Sequence, residues 1–332
     1  MRMVSRLPID PYMLAIVGTA MLATVLPASG RGAILAGDAS QAAIALMFFL
    51  HGAKLEPRAA LAGARHWRLH VLVLLSTFVL FPMLGLALRA AVPGLLPTEL
   101  WSGLLLLCML PSTVQASIAF TSIARGNVPA ALCAATASNL LGIVLTPLLA
   151  GMLLHTHGGF SPRAIADVAL QLLLPFVAGQ VARRWIGVWA ARNRSVLGLV
   201  DRGSILLIVF AAFSEGVTQG IWHQVNLVTL ANLLWLNAAL LSAILVLTTV
   251  ISRGLGLPRA DAITVVFCGS KKSLASGLPM ATVLFAGQSA ALIVLPLMLF
   301  HQLQLMACAM LARHYAATDG DASADRLASI AK

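Results

Sequence analysis

Apolar residues run along this chain in blocks of roughly 20, cut by short polar or Pro-Gly interruptions. A helix needs about 20 mainly apolar residues to cross the hydrocarbon core of a bilayer. Ten stretches meet that length: about 11–28, 36–54, 69–91, 99–123, 127–152, 164–183, 202–221, 227–251, 260–285 and 288–312. The pattern predicts an all-α polytopic membrane protein with ten transmembrane helices. The first stretch follows Arg2 and Arg6 as a signal peptide would, but Asp10 and Pro11 at its start and the lack of a small-residue cleavage site make it span one.

The two halves share a layout. Trp67 to Arg89, a Pro-Gly loop and Pro97-Thr98-Glu99 opening span four parallel Leu227 to Arg253, a Gly-Pro loop and Pro258-Arg259-Ala260-Asp261 opening span nine. Both opened spans are interrupted at matching depth, span four by Pro111-Ser112-Thr113-Val114-Gln115-Ala116-Ser117 and span nine by Gly269 to Ser273. Five spans per half is an odd number, so a duplicated unit enters the membrane upside down. The expectation is one membrane unit over residues 1–315, with inverted repeats at about 10–155 and 160–315, and a disordered cytoplasmic tail over 316–332. Paired interruptions at matching positions of two halves point to a substrate site near the bilayer midplane. There, freed carbonyls at the end of a first half-helix can hold a cation and freed N–H groups at the start of the second can hold an anion. Ser273 is the expected cap of the second half-helix of span nine, and Ser117 that of span four.

Lys271 and Lys272 stand in the middle of the span-nine interruption. Each costs roughly 2.5–3.5 kcal/mol at the centre of a membrane helix, so the pair requires a protein-lined or watered surrounding. The stretch from Gly269 to Gly277 is therefore the expected functional centre. Adjacent helical residues point about 100° apart, which allows one lysine to be structural and the other to face a cavity. Among the acids, Glu215 alone looks embedded within a span, as a possible counter-charge or, alternatively, an interfacial residue.

Composition agrees with this reading: 60% of residues are hydrophobic and 10% charged, far from the roughly 25% charged of a soluble domain. The net charge of +11 forms no compact basic patch with interleaved aromatics, so no nucleic acid partner is expected. It is instead asymmetric across the ten spans. One side carries 17 Lys and Arg and the other only Arg31, Arg89 and Arg163, which by the positive-inside rule puts the rich side and both termini in the cytoplasm. Cys108, Cys133, Cys268 and Cys308 all fall inside spans without CxxC spacing, so neither disulfides nor a zinc site is expected.

His51-Gly52-Ala53-Lys54-Leu55-Glu56-Pro57, Ala124-Arg125-Gly126-Asn127-Val128 and Phe267-Cys268-Gly269-Ser270-Lys271-Lys272-Ser273-Leu274-Ala275-Ser276-Gly277-Leu278-Pro279 resemble the bile acid:sodium symporter superfamily, specifically its orphan symporter-like branch of sodium-dependent transporters, over essentially the whole chain. The resemblance implies a panel domain of spans one, two, six and seven, a core domain of the other six, crossing of the broken spans four and nine, sodium sites beside the crossing, and substrate between core and panel. Carried over by position, it implies substrate or ion binding by Ser112, Thr113, Gln115, Ser117, Thr136, Ser138, Asn139, Ser270, Lys271, Lys272, Ser273 and Ser276. The chain departs from the pattern where the family shows a Glu, a Gln and an Asn around the span-nine break: here stand Phe267, Lys271 and Lys272. Two cations thus sit where sodium would bind. Either a lysine ammonium replaces sodium, or one lysine carries a coupling proton.

The resulting expectation is a secondary transporter moving a small organic anion by alternating access in a bacterial inner membrane. Sodium enters only through the resemblance, as a possible coupling ion beside no expected cofactor. A proton-coupled or uncoupled carrier, or a non-transporting regulator that retains the fold, are the alternatives. No catalytic triad spacing, metal-ligand cluster or nucleotide-binding loop supports an enzyme.

Overall fold

The computed structural model describes residues 11–54, 66–154, 162–218, 220, 225–285 and 290–330. Among these residues all regular structure is helical. The helices are α1 (Pro11–Val25), α2 (Arg31–Lys54), α3 (Trp67–Ala91), α4 (Thr98–Met109), α5 (Val114–Ile123), α6 (Val128–Leu153), α7 (Pro162–Arg192), α8 (Arg194–Thr218), α9 (Leu227–Gly254), α10 (Arg259–Gly269), α11 (Leu274–Leu284) and α12 (Ala290–Ile330). Helix lies in all ten intervals predicted as spans. Six helices are long and apolar enough to cross a membrane, in α2, α3, α6, α8, α9 and α12, and the bent pair α4–α5 makes seven if counted as one span.

Local sequence fixes the helix ends. Asn127 accepts from the Ala130 amide to cap α6, Asn226 caps α9 through Thr229, and Ser273 caps α11 through the Ser276 amide, each satisfying a donor that the first turn leaves open. The predicted cap Ser117 lies inside α5 instead; Thr113 holds that position without a side-chain bond. Pro111 ends α4 early, so the second half-helix restarts at Val114, three residues before the serine. The basic stretch from Arg183 to Arg202 continues α7 to Arg192 and starts α8 at Arg194. The last helix likewise runs to Ile330, through the segment expected as a tail.

Packing divides the helices. α2 lies against α7 and α8, and α8 against α1, while α4 packs on α3 and α12 and α10 packs on α3, α5, α6 and α9. The α2–α7 contact is close because Gly52 and Gly179 face each other's neighbours: a Cβ at either would run into the main chain of Phe176 or Phe49, the small-residue packing that suits membrane helices. From Leu104 to Leu110, α4 is buried on every side, which marks it as the centre of the bundle. Outward positions such as Met21, Ile34, Met83, Val246 and Met310 are more than half exposed and apolar. In water such a surface would drive aggregation; in a bilayer it is the lipid face.

One polar knot ties the core helices at their ends. Asp261, buried at the start of α10, accepts from Asn127 Nδ2 at 2.7 Å and meets His66 Nδ1, just before α3, at 2.9 Å, while the Asn127 amide donates to Thr264 Oγ1 at 3.0 Å.

Candidate functional site

Both predicted interruptions are real breaks. α4 and α5 are separated by residues 110–113 and bent by 61°, and α10 and α11 by residues 270–273. The two breaks lie against each other, and each supplies hydrogen-bond donors to carbonyls of the other, at the end of α10 and within the breaks themselves. Ser112 Oγ donates to Cys268 O at 2.6 Å and Ser117 Oγ to Phe267 O at 3.2 Å, at the end of α10. Thr113 Oγ1 donates to Lys272 O, and the Ser273 amide to Pro111 O, both at 2.9 Å. These are the orphan carbonyls that a helix end leaves unpaired, and inside a membrane they must be satisfied by protein.

Lys272 answers from the other direction. Its ammonium, fully buried, donates to Thr77 O, Cys108 O and Leu110 O, each at 2.8 Å, and lies 4.1 Å from the centroid of the Phe81 ring. An ammonium has three N–H donors, and all three are used. The carbonyls are available for stated reasons. Cys108 O has Pro111 three residues on, which carries no N–H, and the Ser112 amide four residues on donates to Ser138 Oγ at 3.0 Å instead. Thr77 lies in a π-helical segment of α3, Ser76–Leu80, where the Phe81 amide bonds Ser76 O; the next residue is Pro82, again without an N–H. One-turn π segments of this kind release backbone groups at functional sites. Three hydrogen bonds to a charged group, about 1.5–3 kcal/mol each, exceed the roughly 2.5–3.5 kcal/mol cost of placing the lysine at membrane depth.

Lys271 turns the other way on the same break. Its ammonium donates to Ala116 O at 3.2 Å and sits 3.8 Å and 5.0 Å from the ring centroids of Phe120 and Phe267, so ring quadrupoles supply much of its stabilisation. Neither lysine reaches the cavity described next, contrary to the expectation that one of them would face it. Gln304 of α12 then fixes the break: it accepts from the Lys272 amide and donates to Lys272 O, both at 2.9 Å. Asn139 of α6 ties the two breaks together, donating to Ser112 O and accepting from Ser276 Oγ at 2.8 Å.

Beside the crossing lies a cavity of about 730 Å³ between α5, α6, α11 and α12 on one wall and α1, α2, α7 and α8 on the other. The first turns of α5 and α11, residues 113–116 and 273–276, form part of its lining. Of the predicted site residues, Thr113, Gln115, Thr136, Asn139, Ser273 and Ser276 line it. Ser112, Ser117, Ser138, Ser270, Lys271 and Lys272 are buried in the crossing instead. Glu215 belongs to neither group: it lies exposed on α8 and does not line the cavity. The opposite wall carries charges that the sequence did not offer as site residues. Lys54 Nζ pairs with Asp201 Oδ2 at 2.6 Å, and His51 and Arg202 stand beside them. Two cationic side chains, Lys54 and Arg202, and one acid thus share the cavity with the two helix starts.

The sequence comparisons join this geometry to a family. Residues 10–317 match the model of the SBF-like CPA transporter family. The chain belongs to that family. It is 56% identical to the uncharacterized protein PA2026 of Pseudomonas aeruginosa over 317 residues, 95% of each chain. It is 50% identical over 308 residues to YfeH of Escherichia coli, whose name assigns it provisionally as a symporter, covering 92% of this chain and 93% of that one. Sodium/bile acid cotransporter 7 of Rattus norvegicus is 28% identical over 316 residues, 92% of each. Family and relatives are transporters rather than enzymes, and the chain is an integral membrane protein of that kind.

Proposed function

We propose that this member of the SBF-like CPA transporter family is a secondary carrier for a small organic anion, which binds in the 730 Å³ cavity. The observation that carries the reading is the convergence on one cavity of the first turns of α5 and α11 with Lys54, His51 and Arg202. Helix starts present unpaired N–H groups and the positive end of the macrodipole, and both favour an anion. The cavity size suits a small-molecule site.

The packing supports a division into a panel of α1, α2, α7 and α8 and a core of the remaining helices, with the cavity along the boundary. We read α1 to α6 and α7 to α12, five spans each when a broken pair counts as one, as inverted repeats, because each places its break at the same point of its order and both breaks span four residues. Alternating access is then a displacement of core against panel that carries the helix starts and the anion together. Of the lining residues, Lys54 at the end of α2 and Arg202 are exposed, and we take this as the open end of the cavity. With the positive-inside assignment, that end is cytoplasmic, both termini are cytoplasmic, and the described state is inward-open in a bacterial inner membrane.

The test is uptake by proteoliposomes of a panel of carboxylates and sulfonates: acetate, pyruvate, succinate, benzoate, benzenesulfonate, and taurocholate on account of the rat relative's name. Saturable uptake of one or more that falls at least tenfold in Arg202→Gln supports the reading. Uptake restricted to neutral or cationic solutes would overturn it.

A further inference from the structure

We infer that Lys272 is a built-in monovalent cation: its ammonium fills a main-chain carbonyl site at the crossing of the two breaks, and no sodium ion binds there. The consequence for coupling rests on the anion-carrier reading, whereas the site itself does not.

The donor set is the argument. Thr77 O, Cys108 O and Leu110 O come from two separate segments of the fold and converge on one nitrogen at equal distances of 2.8 Å. Converging neutral carbonyls are how proteins hold a monovalent cation at the end of a broken helix. Here the cation is covalently attached. Among the described residues neither lysine pairs with a carboxylate, so the ammonium already supplies the positive charge that those oxygens can balance. Four of the residues that the family resemblance offers for sodium are already committed to other bonds. Ser112 and Ser117 hydroxyls donate to carbonyls of α10, Ser138 Oγ accepts from the Ser112 amide, and Asn139 Oδ1 accepts from Ser276. A sodium ion among them would displace those bonds and would also face Lys271 and Lys272 across the same few residues.

Removal of the side chain leaves the oxygens in place. Lys272→Ala is therefore expected to create a vacant site for a small primary ammonium or an alkali ion, open to rescue from solution.

The experiment measures thermal unfolding of the purified full-length protein at constant ionic strength in sodium, potassium, choline and methylammonium chlorides, with no organic anion present. A ligand that binds only the folded state raises its stability in proportion to ln(1 + [L]/Kd). The wild type is expected to unfold at the same midpoint in sodium and choline. Lys272→Ala is expected to unfold at a lower midpoint that rises with methylammonium or sodium concentration and not with choline, which has no N–H and is too large for the gap. A sodium-specific rise in the wild type overturns the inference, and so does a folded Lys272→Ala that responds to none of the small cations. Where Lys272→Ala gives no folded protein, the wild type and Lys272→Arg decide: indifference of both to sodium supports the built-in cation, and a sodium-specific rise in either overturns it. Because no substrate is involved, these outcomes are independent of whether the anion assignment holds.

Discussion

The carbonyl of Thr77 accepts from the Lys272 ammonium at 2.8 Å because α3 leaves it without a main-chain donor. The Phe81 amide is spent on Ser76 and Pro82 has none to give. Pro82→Ala returns an N–H to that place and lets α3 close over the carbonyl. The expected result is a loss of about 1–2 kcal/mol, less than a full bond to a charged group because the helix regains regularity. Denaturant unfolding in mixed micelles measures it; a more stable variant would show that the π segment does not serve Lys272.

Gln304 holds the main chain of Lys272 by two buried hydrogen bonds. Gln304→Leu keeps the volume and removes both, leaving the Lys272 amide unpaired at membrane depth. A destabilisation of about 2–4 kcal/mol is expected, since each buried group left unsatisfied costs about 1–3 kcal/mol. The same unfolding measurement checks it, and a loss under about 0.5 kcal/mol would mean that the break keeps its shape without the clamp.

Gly179→Ala pushes a Cβ into the main chain of Phe49 and forces α2 from α7. A cost of about 1–3 kcal/mol is expected from overpacking. Gly203→Ala in α8 is the control: a Cβ there meets nothing within 4 Å, and the helix is expected to hold or gain slightly.

Asp201 holds Lys54 at 2.6 Å, so in the proposed anion site it would compete with the substrate for that lysine. Asp201→Asn is expected to tighten binding of the transported anion by roughly tenfold, about 1.4 kcal/mol, and Lys54→Gln to weaken it by a similar factor. Equilibrium binding to the purified protein distinguishes the two, and weaker binding in Asp201→Asn would assign the acid a direct role in holding the anion.

The breaks were legible in the sequence because their cause is local: Pro111 with its serines and the lysine pair cannot continue an apolar helix. Helix existence was legible for the same reason, through block length. What the lysines do was not, because the acceptors lie far along the chain: Thr77 is 195 residues from Lys272 and Cys108 is 164. Pro82 in span three was the available signal, an imino acid in an apolar run that breaks the ladder at one turn. The panel side of the cavity was missed for a different reason. Lys54 ends α2, and Asp201 and Arg202 stand at the start of the apolar run predicted as span seven, where charge is ordinary, although α8 itself begins at Arg194; only packing of α2 on α8 brings them together opposite the starts of α5 and α11. Glu215 illustrates the converse. An acid inside an apolar run reads as functional by position, yet it lies exposed on α8 and outside the cavity lining.

The account stands on an anion binding at the two helix starts, and uptake by proteoliposomes with sodium replaced by choline on both sides tests it most directly. The prediction is saturable uptake of at least one carboxylate or sulfonate, unchanged by the replacement and reduced at least tenfold in Arg202→Gln. Uptake that vanishes without sodium, or that is unaffected by loss of Arg202, would contradict it.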